Sequence, residues 1–155
     1  MKWGLNIAIV VFFQATVFHV FAAESLIGTW RLDRQEINDQ RTNSSPLTLK
    51  ISQVGDQLAF AFSVPLNNAD QVSMTYAVKL DGSEADVKNA RGEKVGTIRM
   101  RSSGPSQYKL TLTGPNRPDS SGRLTVSPDG KTLTSEADTV QSGQSMHSRQ
   151  WFSRY

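Results

Sequence analysis

Few residues in this chain could carry chemistry. Past residue 22 there is one histidine, His147, and the chain contains no cysteine. A thiol centre is excluded, and a metal site needs several converging ligands that a lone imidazole cannot supply. Strand alternation places His147 on the outward face of the last strand, where a solvated role is expected. No Gly-x-Ser-x-Gly elbow and no nucleophile–base pair is visible, so the chain is expected not to be an enzyme and to use neither metal nor cofactor. Asp81, Glu84 and Asp86 lie in and just after a turn and read as solvated carboxylates.

What remains is binding. Phe60, Phe62, Met74, Tyr76, Met100, Tyr108 and Phe152 all fall on the inward parity of their strands, with Ser148 and Gln150 among them. Apolar walls interrupted by a few polar groups describe a small-molecule pocket. In that reading Tyr76, Tyr108 and Gln150 orient a ligand, while Phe60, Phe62, Met74 and Met100 form the wall. The same pattern also describes a packed interior in which the phenols bond Ser or Gln. The small inward residues Ala85, Ala137 and Ser148 leave room for the first alternative.

These side chains need strands to position them. From Leu26 onward the hydrophobic period is two. Leu26, Trp30 and Leu32 share a face, as do Leu47, Leu49 and Ile51, then Leu58 to Val64, and then Val72, Met74, Tyr76, Val78 and Leu80. Shorter alternations follow at Ala85/Val87, Ile98/Met100, Tyr108 to Leu112, Leu124/Val126, Leu133/Ala137 and Met146 to Arg154. Turn signals separate them: Gly55-Asp56, Asp81-Gly82, Gly104-Pro105 and, most clearly, Ser127-Pro128-Asp129-Gly130-Lys131. Arg34 to Ser45 is polar and reads as a loop with one helical turn near Gln35-Glu36-Ile37. The whole is an all-β chain, an antiparallel up-and-down meander of about 8–10 strands that closes into a barrel and so leaves no free edges.

Residues 1–22 are expected to be a signal peptide. Lys2 opens it, an apolar run from Ile7 to Phe21 follows, and Val20 and Ala22 stand at the positions a signal peptidase reads. The remainder, 23–155, is one domain, expected in the secreted or periplasmic space and not transmembrane after cleavage. The 17 Lys+Arg and 14 Asp+Glu give a net charge of +3, which becomes +2 without Lys2. That balance points to no nucleic-acid partner.

Gly28-Thr29-Trp30 on the first strand and Arg154 on the last carry a resemblance to the calycin superfamily, which includes lipocalins and fatty-acid-binding proteins. Leu47-Thr48-Leu49-Lys50-Ile51 and the Ser127–Leu133 turn resemble small exported bacterial lipocalin-like proteins. The resemblance implies a structural closure in which Trp30 plugs one end of the barrel and Arg154 packs across it, with Gly28 beside them. Avidins differ in lining their pocket with several Trp, whereas only Trp30 and Trp151 follow residue 22 here. Fatty-acid-binding proteins insert two helices after strand one, for which Arg34–Ser45 is too short and polar. The expected function is a binding protein for a small apolar or amphipathic molecule. The alternative is a filled barrel that contacts a protein partner or the envelope through its loops and the outward Arg99, Arg101, Lys109 and Arg123.

Overall fold

In the computed structural model the described residues are 25–67, 69–115 and 117–155. The expected signal peptide, 1–22, lies outside them. Eleven strands follow in order: β1 Gly28–Ile37, β2 Gln40–Thr42, β3 Thr48–Val54, β4 Gln57–Leu66, β5 Ala69–Val78, β6 Asp81–Asn89, β7 Lys94–Gly104, β8 Gln107–Gly114, β9 Arg117–Val126, β10 Thr132–Gln141 and β11 Gln144–Arg154. Each of β3 to β11 pairs antiparallel with the next, and β1 joins β3 to β11, so the sheet closes. Ten strands form the barrel, and β2 pairs only with the far half of β1. No helix among the described residues is long and apolar enough to cross a membrane.

Much of Arg34 to Ser45, expected to be a loop with one helical turn near Gln35-Glu36-Ile37, is instead strand. β1 runs on to Ile37, and Asn38-Asp39 turns it back into β2. Both turn residues have positive φ, 49° and 62°, the conformation a two-residue hairpin needs and one that Asn and Asp tolerate. Asn38 also fastens the turn to β11: its Oδ1 accepts from the His147 amide at 2.9 Å, and its own amide donates to the His147 carbonyl at 2.8 Å. A bulge between Leu32 and Arg34 shifts parity, so Gln35 and Ile37 turn inward opposite Gln150 and Ser148. A second bulge, at Ser73, does the reverse to Val72. Grouped with Met74 by simple alternation, Val72 instead pairs with Ser63 on the outer face and is 45% exposed.

The core occupies one half of the barrel. Trp30, Phe60, Met100, Tyr108, Leu133 and Phe152 are its largest buried members, in one cluster that includes Leu26 from ahead of β1. Trp30 closes this half. Its Nε1 donates to the Leu26 carbonyl at 2.9 Å. Arg154 stands directly opposite Trp30 in the β1–β11 register, with its guanidinium carbon 4.3 Å from the indole ring. The guanidinium donates to the carbonyls of Gly130, Ile27 and Ser25 at 2.7–2.8 Å. It therefore ties the 127–131 turn to the segment entering β1. Gly28 permits this approach, since a Cβ there would lie 2.7 Å from Arg154 Nη1.

Candidate functional site

Towards the other end of the barrel the inward residues change character. On β9, β10 and β11 the cross-strand row is Gly122, Ala137 and Ser148, each directly opposite the next. Three neighbouring strands thus present almost no side-chain volume to the interior. The rows on either side are polar: Ser135 pairs with Gln150, which pairs with Gln35, and Ser120 pairs with Thr139, whose Oγ1 donates to Ser120 Oγ at 3.2 Å. In the strand order, β10 lies across the barrel from β5, and β9 from β4. Facing the small polar wall are therefore Phe62 of β4 and Met74 of β5, with Leu110 and Leu112 of β8 completing an apolar side.

All of these inward side chains are half-buried, whereas the largest side chains of the Trp30 half, among them Trp30, Phe60, Tyr108 and Phe152, are fully buried. The inward faces of this half make an amphipathic cup, apolar on one wall and carrying hydroxyls and amides on the other.

The seven residues expected to contact a ligand divide between the halves. Phe62, Met74 and Gln150 point inward in the half away from Trp30 and are half-buried, with Phe62 and Met74 packed against the edge of the core. Phe60, Met100 and Tyr108, at 1%, 1% and 0% exposure, are packed into the closed half. Tyr108 Oη is 3.2 Å from Ser25 Oγ, and burial pushes its phenol above the usual range. Tyr76 is intermediate. It stacks on Phe60 with centroids 4.7 Å apart, lies 5.9 Å from Phe62, and is 8% exposed. Burial pushes its phenol strongly upward, so it is a neutral donor at ordinary pH.

Gln35, Ser120, Gly122 and Ser135 escape the sequence pattern. Gln35 is hidden by the bulge in β1. The other three stand at even spacing before Leu124 and Ala137, a signal present in the sequence but carried by residues that usually mark turns.

The outer face is charged and largely self-paired. Arg99 meets Glu84 at 2.9 Å, Arg149 meets Glu136 at 2.7 Å, and His147 Nδ1 meets Asp138 at 2.7 Å. Arg34 lies over the outward Trp151 at 3.8 Å. Of the four outward cations noted in the sequence, Arg101, Lys109 and Arg123 fall in one register row on β7, β8 and β9. The row is flanked by acids in the register, Asp81 opposite Arg101 and Glu136 opposite Arg123, although none of the three cations closes an ion pair among the described residues. No three His, Asp or Glu side chains converge as a metal cluster there.

A closed antiparallel barrel of this shape is calycin-like, and known structures share it. The chain is similar to the zebrafish ileal bile acid-binding protein complexed with cholic acid, with TM-score 0.59 and 18% identity over 84% of this chain and 99% of that one. It is also similar to a mutant of the REP1-NXSQ fatty acid transporter, with TM-score 0.57 and 16% identity over 85% and 99%. The S-type phycobiliprotein lyase CPES from Guillardia theta has the same fold, with TM-score 0.57 and 11% identity over 86% and 90%. No protein-family model and no curated protein matches the sequence.

Proposed function

We propose that this protein is a non-enzymatic carrier that holds a small amphipathic molecule in the open half of its barrel. The observation that carries this reading is the Gly122–Ala137–Ser148 row facing Phe62 and Met74. It leaves volume between a polar and an apolar wall, which suits a ligand with an apolar body and hydrogen-bonding groups along one edge. Gln150 and Gln35 supply amides that can both donate and accept, so the ligand's polar edge belongs against β1 and β11. Cholic acid and fatty acids, handled by two barrels of this fold, have that chemistry. The mature chain is exported, with residues 1–22 removed, a point that N-terminal sequencing of the secreted protein checks. Native mass spectrometry of the purified protein, followed by displacement of a fluorescent fatty acid, tests the carrier reading. A retained or displaceable ligand is expected; absence of both contradicts it.

A second reading concerns the outer wall. Like charges directly opposite one another in a sheet are unfavourable, yet Arg101, Lys109 and Arg123 occupy adjacent strands. This row suits contact with an acidic partner or envelope component. Loss of envelope pull-down on Lys109→Glu would support it, and unchanged capture would count against it.

A further inference from the structure

The β5–β6 seam is the weak point of the barrel wall. Only two pairs cross it, Met74 with Asn89 and Thr75 with Lys88. Both strands continue past these pairs, but the ladder does not. A cleft of about 560 Å3 opens on the outside of the barrel over this break. Its volume falls within the range of small-molecule sites.

The cleft has an apolar floor and a cationic frame. The floor is made of small outward residues: Ala59 opposite Ala77, and Ala61 opposite Thr75. Exposed strand faces ordinarily carry longer polar side chains. Here the small residues let the wall be approached closely. The inward residues Phe60 of β4 and Tyr76 of β5 border the same cleft where the ladder is open.

Lys50, Ala61, Thr75 and Lys88 form one register row, so the two lysines bracket the floor from β3 and β6. Neither lysine has an ion-pair partner among the described residues. The two acids at the rim are already neutralised, Glu84 by Arg99 at 2.9 Å and Asp86 by Lys94 at 2.7 Å. The uncompensated charge of the cleft is therefore positive.

We propose that this cleft is a second ligand site, outside the barrel, for an amphipathic anion whose flat apolar body lies over Ala59, Ala61 and Ala77, with Lys50 and Lys88 on the two sides of the floor supplying the positive field that draws its acid group to one edge. The site does not depend on the carrier reading, because its floor and its lysines lie on the opposite surface of the wall from the cup.

The test is amide chemical-shift mapping of the isotope-labelled full chain titrated with 8-anilinonaphthalene-1-sulfonate, a flat apolar sulfonate. Saturable shifts at Ala59, Ala61, Ala77 and Lys88 are expected. The Lys50→Glu/Lys88→Glu double variant should weaken them about tenfold or more. Ala137→Trp, which fills the cup, should leave the cleft shifts intact. Shifts confined to Gly122, Ala137 and Ser148 and indifferent to the lysine reversals would overturn the second site while leaving the carrier reading standing. No saturable shift in either place would overturn both.

Discussion

Trp30 and Arg154 face each other across the strand pair that closes the barrel, with the guanidinium carbon 4.3 Å from the indole ring. The indole contributes buried volume, while the guanidinium adds three bonds to backbone carbonyls from two separate segments. Trp30→Ala should cost about 3–5 kcal/mol in chemical denaturation, the range for removing a large buried aromatic. Arg154→Lys should recover little of the stability lost in Arg154→Ala, because an ammonium cannot reproduce the planar fork. Equal stability of Arg154→Lys and the wild type would show that charge alone sets this contact.

The Asn38-Asp39 turn separates a residue held for its conformation from one held for its contacts. Asp39 has positive φ, and no ion pair or side-chain hydrogen bond of its own is seen among the described residues. Asp39→Gly should therefore stabilise the protein by up to about 1 kcal/mol by relieving left-handed strain. Asn38→Gly should not, because it removes the bond that Asn38 Oδ1 accepts from the His147 amide. Thermal melts of the two variants should move in opposite directions.

Tyr76 sets an alkaline limit on stability. Its ordinary value is 10.0, and burial raises it in the folded state. Unfolding therefore makes proton release easier above the ordinary value. The contribution of the buried neutral phenol is complete below about pH 10 and is lost as pH rises from there towards the folded value. Denaturation midpoints should fall above pH 10 more steeply in the wild type than in Tyr76→Phe. Parallel curves for the two proteins would place Tyr76 in contact with bulk water.

Reversing the central charge of the outer cationic row should help the fold. Lys109 stands directly between Arg101 and Arg123. Lys109→Glu converts two like-charge pairs into opposite-charge pairs, each worth roughly 0.2–1 kcal/mol, with exposure favouring the low end. A higher melting temperature at low salt, with the gain shrinking as salt is added, is the expected result. A lower one would mean that Lys109 already has a compensating contact.

The strand pattern and the barrel could be read from the sequence because alternation of apolar residues is a strong signal wherever one face is buried. The closed half was the more readable for that reason: Trp30, Leu49, Ile51, Leu133 and Phe152 announce themselves. The cup was harder to see. Its small wall is built from Gly122, Ser120 and Ser135, residues whose local preference is for turns and whose inward role follows only from register. Bulges hid the rest. One extra residue at Ser73 sent Val72 outward, and one near Asp33 sent Gln35 inward, although the sequence alternates without interruption through the first of these places. The break between β5 and β6 is a failure of pairing between strands, and hydrophobic pattern carries no record of which rungs form.

The carrier reading rests on the small inward residues around Ala137. The direct measurement is a titration of a fluorescent fatty acid into the wild type and into Ala137→Trp, with melting temperatures recorded for both. Saturable uptake by the wild type is expected, with uptake lost or weakened at least about tenfold in a variant that still melts cooperatively. Equal uptake by the two proteins, or none by a folded wild type, would contradict a ligand site in the open half of the barrel.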